Sequence, residues 1–305
     1  MNTLAKLLAL AERCRLCPRQ CGANRLAGEK GFCQAGRELQ VSYIGLHQGE
    51  EPPISGTQGS GTVFFGYCTM ACVFCQNWQI SQQHNNLRAI TPEQLAAEFL
   101  RLQNLGAHNI NLVSPTQYAP FIYQAWETAK QNGLTLPVVY NTNGYERPEV
   151  LELLGGMIDI YLPDRKYAEN ISAEKYSGAP DYAEQNLAAL KFMLKQKGLL
   201  QIRNDLAVQG VIVRHLVLPG LGAESKKILT ELTALNPELQ ISLMSQYAPH
   251  YLAKDRPEIN RKLSAAEYNA VLAQAEVLGL ENVWVQEPDS QEIFVPDFRK
   301  EQPFS

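Results

Sequence analysis

The chain has 305 residues, of which 45% are hydrophobic and 19% are charged, a composition typical of a globular protein. Its net charge of −4 gives no electrostatic signal for nucleic-acid binding, and no block of like charges indicates a membrane surface. No apolar stretch is long enough to predict a transmembrane helix, so we expect neither a nucleic-acid nor a membrane partner.

The first predicted element is a short amphipathic helix over residues 1–10, and a cysteine-rich segment follows it. The segment has C-x2-C-x3-C-x11-C spacing, formed by Cys14, Cys17, Cys21 and Cys33. Four thiolates suit either tetrahedral zinc or a closed iron–sulfur cluster, which would act as a structural staple or an electron relay. The Cys-x-x-Cys-Pro knuckle favours zinc slightly, and four unligated thiols are the remaining alternative.

Residues 37–60 are rich in Gly, Pro and Ser, which indicates a connecting loop, with a weak strand over residues 39–44. All seven cysteines precede residue 76, and their odd number argues against a complete set of internal disulfides. Thiolate metal sites need a reducing compartment, so we expect a cytoplasmic protein.

Three further cysteines follow the apolar run at residues 62–65. Cys68, Cys72 and Cys75 have C-x-x-x-C-x-x-C spacing, with Phe74 between the last two. Iron–sulfur clusters are held by cysteine thiolates, usually four of them. Three thiolates from one loop can hold three irons of a 4Fe–4S cluster and leave the fourth open to a ligand. A zinc knuckle or three buried thiols are the alternatives.

Beyond this loop, short β-branched runs alternate with amphipathic stretches, which predicts a parallel sheet covered by helices. Predicted strands cover residues 62–65, 108–113, 137–141, 157–162, 209–217, 239–244 and 283–286. Predicted helices cover residues 91–105, 119–132, 148–154, 181–196, 223–235 and 264–278. A complete eight-unit barrel takes about 250 residues, more than remain here, so we expect an incomplete one.

Polar residues follow several predicted strands, and the carboxyl ends of barrel strands carry the chemistry in such folds. These segments are residues 113–118, 140–145, 161–167 and 213–220. Among the histidines, His215 is the strongest candidate for a proton relay. However, it alternates with Arg214 along a strand, so only one of the two side chains is expected to face inward.

These motifs together resemble the pyruvate formate-lyase activating-enzyme branch of the radical S-adenosylmethionine (SAM) superfamily. The resemblance covers roughly residues 60–290. It is carried by the Cys68–Cys75 loop, the Thr142-Asn143-Gly144 turn, the Asp164-x-Lys166 pair, Arg214 with Pro219-Gly220, and Ser245-Gln246-Tyr247. The N-terminal four-cysteine run resembles an uncharacterised subgroup of that branch that carries such a module.

The resemblance implies an α/β fold: an incomplete (β/α)6-type radical SAM barrel with a small N-terminal cysteine-rich metal module. The expected division is residues 1–60 as module and lead-in, 61–290 as partial barrel and 291–305 as tail. Cys68, Cys72 and Cys75 would hold the 4Fe–4S cluster, and SAM would bind its open iron. The implied SAM contacts are Ser114, Thr116, Asn141, Asn143, Asp164, Lys166 and Arg214. Ser114-Pro115-Thr116 replaces the family's glycine-rich, glutamate-containing motif.

The activity implied by the resemblance starts with one electron from a reduced flavodoxin or ferredoxin. SAM would be cleaved reductively to methionine and a 5′-deoxyadenosyl radical, which abstracts hydrogen from a substrate. That substrate would be a glycyl-radical-type protein or a small molecule. The alternative function is a non-catalytic iron–sulfur or zinc protein that relays electrons or binds a partner.

Overall fold

The computed structural model describes residues 2–286 and 295–304, and one sheet organises this part of the chain. The strands are β1 Leu39–His47, β2 Ser60–Phe65, β3 Arg88–Ile90, β4 Ile110–Val113, β5 Val138–Thr142, β6 Ile160–Pro163, β7 Gln201–Arg203, β8 Leu206–Leu216, β9 Gln240–Met244 and β10 Val283–Val285. Their order is β10-β9-β8-β6-β5-β4-β2-β1-β3, with β7 paired to β8. From β2 to β10 along this order every neighbouring pair is parallel, whereas β1 is antiparallel to both β2 and β3.

Helices connect the parallel strands, as a parallel sheet requires. In chain order, the helices of the described residues are α1 Thr3–Glu12, α2 Pro52–Ser55, α3 Trp78–Ser81, α4 Pro92–Asn104, α5 Ala119–Gln131, α6 Pro148–Leu154, α7 Asn170–Ser177, α8 Tyr182–Lys197, α9 Gly222–Leu235 and α10 Ala265–Val277, of which α1 precedes the sheet and α2 joins the antiparallel strands β1 and β2. Two of them begin with a complete capping box, Thr91 with Gln94 at α4 and Ser264 with Glu267 at α10. Each box satisfies backbone N–H groups that have no partner within the helix.

The expected α/β partial barrel is confirmed, and most predicted elements lie within a few residues of the observed ones. The sequence did not predict α2, α3, α7, β3 or β7. Of the expected domain boundaries, the one between residues 290 and 291 lies outside the described residues, and the boundary after residue 60 stays a prediction. Among the described residues, no helix combines the length and apolarity needed to span a membrane.

The lead-in before β2 fills the interior of the partial barrel. Ile54 in α2 is fully buried against an apolar layer contributed by the strands: Val139, Ile160, Leu162, Ala207 and Ile212. The Asn109 side chain, just before β4, donates to the Ile54 carbonyl at 2.7 Å. The α2 segment therefore enters from the amino-terminal end of the strands and leaves their carboxyl ends free for a site.

Candidate active site

The three-cysteine loop leaves β2 at the carboxyl end of the sheet. Tyr67 has a left-handed backbone (φ 66°), and its N–H donates to the Ile80 carbonyl in α3 at 3.0 Å. The turn directs Cys68, Cys72 and Cys75 toward a cavity of about 580 Å³ that all three line. A cavity of this size can hold a cofactor-sized ligand.

The end of α7 supports this loop from behind. The Ala71 N–H donates to the Ser177 carbonyl at 3.1 Å, and the Val73 N–H donates to the Tyr176 carbonyl at 2.8 Å. These two bonds resemble a short strand pairing and hold the middle of the loop in one position.

Each cysteine sulfur has a polar side chain within hydrogen-bonding distance. The contacts are Ser177 Oγ to Cys72 at 2.9 Å, Ser81 Oγ to Cys75 at 3.3 Å, and Asn143 Nδ2 to Cys68 at 3.4 Å. Burial raises the pKa of the Cys68 thiol to about 11 and that of Cys75 to about 12, so without a metal these thiols stay protonated at neutral pH. Three thiols with donors at their sulfurs fit a thiolate-held cluster, which would form with loss of protons.

Six of the seven predicted SAM contacts line the same cavity: Ser114, Asn141, Asn143, Asp164, Lys166 and Arg214. Thr116 lies elsewhere. Its buried hydroxyl donates to a Glu146 carboxyl oxygen at 2.5 Å, behind the cavity wall. The predicted strand ends therefore converge, although the second hydroxyl of the Ser114-Pro115-Thr116 turn does not face the cavity.

Asp164 and Lys166 form an ion pair of 2.6 Å beside the cysteine loop. Burial opposes the charge on Lys166, but the negative charges of the Asp164 carboxylate and of a Cys72 thiolate outweigh it and raise the pKa of the amine. The Lys166 ammonium therefore stays charged and offers a cation next to the three sulfurs.

Arg214 is already paired within the barrel. Its Nε and Nη2 each donate to Glu51 at 2.6 Å, it also pairs with Glu50, and its Nη1 donates to Asn141 at 3.2 Å. Burial alone would raise the pKa of Glu51, but the guanidinium lowers it. A ligand carboxylate would have to compete with two protein carboxylates for this arginine.

Sequence reasoning did not identify Glu50, Glu51 or Ser177 as site residues. The two glutamates belong to a Gly- and Pro-rich loop that gave no sign of entering the barrel. Ser177 ends a helix that sequence analysis did not predict. A pair of carboxylates just before a Pro-Pro step was the available signal for Glu50 and Glu51.

His215 lies outside the cavity lining, and Arg214 is the inward-facing residue of the pair, as strand alternation requires. The His215 Nδ1–H donates to the Arg165 carbonyl at 2.7 Å, and burial lowers the pKa of the imidazole to about 4. It holds the backbone next to Lys166 and is neutral at physiological pH.

The four N-terminal cysteines line one small pocket together with Arg25 and residues of the second cysteine loop and its neighbours. Arg25 is buried there, and burial raises the pKa of the Cys17 thiol to about 12. Among the described residues, no three His, Cys, Asp or Glu side chains are placed to hold a single metal ion. The preference for zinc in this module therefore receives no support from the geometry.

Comparison with protein families identifies the fold and its chemistry. The model of the radical SAM superfamily matches residues 62–228, more than half of the chain. The chain belongs to the radical SAM superfamily. Membership implies a 4Fe–4S cluster, SAM and SAM-dependent radical chemistry, in agreement with the sequence prediction at this level.

Among curated relatives, this radical SAM chain is 32% identical over 282 residues to an uncharacterised protein of Methanocaldococcus jannaschii, covering 90% of this chain and 77% of the relative. A second uncharacterised protein of that organism is 29% identical over 158 residues, covering 47% of this chain and 46% of that protein.

Two solved radical SAM structures align less fully. SuiB of Streptococcus suis, solved with its precursor peptide SuiA, gives a TM-score of 0.49 at 13% identity, covering 72% of this chain and 47% of SuiB. Methylornithine synthase (PylB) gives 0.46 at 16% identity, covering 76% of this chain and 70% of that enzyme.

Proposed function

We propose that this chain is a pyruvate formate-lyase activating-enzyme-like radical SAM enzyme that uses the Cys68, Cys72 and Cys75 thiolates to hold its 4Fe–4S cluster. The observation that carries the proposal is the convergence of these three thiols and Lys166 on one cavity. When bound, the cluster and SAM supply reductive cleavage to methionine and a 5′-deoxyadenosyl radical, which abstracts hydrogen from the substrate.

The residues of the chain have distinct parts in this proposal. Lys166 provides the cation for the SAM carboxylate, because it is paired with one carboxylate, that of Asp164, whereas Arg214 is paired with two, those of Glu50 and Glu51. Asn143 positions Cys68, and Asn141 and Ser114 offer polar groups at the cavity wall.

The proposed partners are a reduced flavodoxin or ferredoxin as electron donor, in a cytoplasmic setting that keeps the thiols reduced, and a glycyl-radical-type protein as the first substrate to test. SuiB, solved with a peptide bound, illustrates a radical SAM enzyme with a polypeptide ligand. Among the described residues that line the cavity, none selects a protein over a small molecule.

The decisive experiment is anaerobic reconstitution with iron and sulfide, reduction, addition of SAM and quantification of 5′-deoxyadenosine. We expect product from the wild type. We also expect SAM to change the electron paramagnetic resonance (EPR) spectrum of the reduced cluster in the wild type and in Cys21→Ala, but not in Cys72→Ala. An intact cluster without product would exclude the enzyme and favour the non-catalytic relay.

We further propose that Cys14, Cys17, Cys21 and Cys33 hold a second, closed metal centre. Their shared pocket and the buried Arg25, whose charge offsets that of thiolates, support it. Elemental analysis of Cys72→Ala isolates this module. Iron with sulfide would identify a cluster, zinc would identify a zinc site, and neither metal would disprove the second centre.

A further inference from the structure

Cys72 has the shortest hydrogen bond among the three cysteine sulfurs of the loop. Its partner, Ser177 Oγ, lies 2.9 Å away, and the Tyr167 hydroxyl lies 2.7 Å from the same Ser177 oxygen. Ser177 and Tyr167 are both fully buried, so water does not compete for these groups.

The chemistry of a ligating thiolate fixes the direction of both bonds. A thiolate bound to iron has no proton to donate, so the Ser177 hydroxyl must donate to the Cys72 sulfur. With its only proton used in this way, Ser177 can only accept from Tyr167. The result is a two-step donor chain that runs from Tyr167 through Ser177 to the sulfur, and each bond polarises the next.

A backbone hydrogen bond keeps the donor chain of Tyr167 and Ser177 next to the cysteine loop. The Ser177 carbonyl accepts from the Ala71 N–H at 3.1 Å, so the side chain that approaches Cys72 cannot drift from it. The other two sulfurs have longer contacts, at 3.3 and 3.4 Å, and the Asn143 amide also donates to Thr69 Oγ1 at 2.9 Å.

We propose that Tyr167 and Ser177 are positioning residues that raise the reduction potential of the 4Fe–4S cluster through the Cys72 sulfur. Reduction adds one negative charge to the cluster and its thiolates, and hydrogen bonds to charged acceptors are stronger than neutral ones. The donor chain therefore stabilises the reduced state more than the oxidised state. Hydrogen bonds to the sulfurs are among the features that set the potential of such clusters.

The test is an EPR-monitored redox titration of reconstituted wild type, Ser177→Ala and Tyr167→Phe. We expect Ser177→Ala to raise the ratio of oxidised to reduced cluster about tenfold at a fixed solution potential, which equals about 59 mV for a one-electron couple. Tyr167→Phe keeps the Ser177 hydroxyl and weakens it as a donor, so its midpoint should fall by less.

Tyr161→Phe is the matched control. It removes the hydroxyl of another fully buried tyrosine, one that donates to Gln196 at 2.5 Å and has no contact with Ser177 or Cys72. Its midpoint should equal that of the wild type.

The inference rests on the proposed cluster ligands, and iron content tests those ligands separately. A wild type without iron would disprove the ligand assignment before any titration. With full iron loading, an unchanged midpoint in Ser177→Ala would overturn the inference. If Ser177→Ala loses its cluster, the test of the inference is the midpoint potential of Tyr167→Phe. An unchanged midpoint potential in that variant would then overturn the inference.

Discussion

Glu146 is a fully buried carboxyl just behind the cavity wall. Thr116 and Thr142 both donate to one of its oxygens, and the other oxygen has no partner among the described residues. Burial raises the pKa of Glu146 to about 7, although the two threonine hydrogen bonds oppose the shift. The carboxyl connects the turns after β4 and β5. Its ionisation in this buried position is unfavourable, so it lowers the free energy of unfolding when the pH is high enough to ionise it.

The penalty predicts how stability varies with pH. Between the unfolded pKa of about 4.3 and the folded value of about 7, the folded state binds more protons, so stability falls as pH rises and the penalty is complete above pH 7. Glu146→Gln removes the ionisation and keeps an oxygen for both threonines. Relative to the wild type, we expect this variant to gain roughly 2–3 kcal/mol between pH 5 and pH 8.

Urea unfolding of both proteins at several pH values measures this difference. Glu149→Gln is the control, because it makes the same chemical change at a side chain that is 68% exposed on the same stretch of chain. Its free energy of unfolding should stay within about 0.5 kcal/mol of the wild-type value. A stability difference for Glu146→Gln that stays constant from pH 5 to pH 8 would show that Glu146 does not titrate in this range.

At the residue scale, the spacing of the three cysteines predicted a shared site, because three thiols within one short loop are typical of an iron–sulfur or zinc site. The carboxyl-end polar residues were also predictable, because parallel strands bring these ends together. The contact with Arg214 was not predictable. The carboxylate pair before the two prolines is a local signal, but it does not indicate that Glu51 meets a strand residue 163 positions further along the chain.

Among the elements, the N-terminal cysteine segment is connected to the second cysteine loop through Arg19. The Arg19 Nε donates to the Thr69 carbonyl at 2.6 Å, and Nη2 donates to the Gly178 carbonyl at 2.8 Å. The guanidinium also stacks on Phe32, 3.4 Å from its ring centroid. One side chain thus joins three separate segments around the loop.

Arg19→Met keeps the apolar stem and removes both donors, so we expect the two cysteine loops to open more often. Charged hydrogen bonds contribute about 1.5–3 kcal/mol each, and partial exposure reduces this, so a total of about 2 kcal/mol is expected. Amide hydrogen exchange in residues 14–33 and 68–75 should accelerate more than tenfold.

Arg15→Met is the control for this exchange experiment, because it removes an exposed arginine from the same segment. Exchange in both loops should match the wild type in Arg15→Met. Equal protection in Arg19→Met and the wild type would show that Arg19 does not couple the loops.

Element boundaries were predicted best where a local signal exists. The predicted starts at residues 91 and 148 agree with α4 and α6, where Thr91 is the N-cap before Pro92 and Pro148 is the first helical residue. The helix α7 was missed because its sequence, Asn170–Ser177, has no apolar face of helical period and depends on tertiary contacts instead.

For the molecule as a whole, the incomplete barrel is filled by its own N-terminal lead-in. Ile54 fills the apolar layer from one end, and Glu50 and Glu51 place their carboxylates against Arg214 just above it. The parallel sheet covered by helices followed from the βα pattern. The sequence did not predict that the lead-in fills the barrel interior, because this depends on contacts between a loop and strands that lie far along the chain.

Ile54→Ala should therefore destabilise the entire fold. Removing a fully buried isoleucine side chain costs about 2–5 kcal/mol, and the surrounding strands leave little room to collapse into the space. Ile171→Ala is the control, since that side chain is 82% exposed and should change stability by less than about 0.5 kcal/mol. Thermal unfolding compares the two, and equal midpoints would show that α2 does not contribute to the core.

The position of this filling segment also constrains the order of events during synthesis. Glu51 leaves the ribosome 163 residues before Arg214, a delay of about ten to thirty seconds at ordinary translation rates. During that time Ile54 has no hydrophobic partners from β8, and the adjacent charges and prolines protect the nascent segment from aggregation. The barrel interior, and with it the polar floor of the cavity, is therefore completed only after β8 has been made.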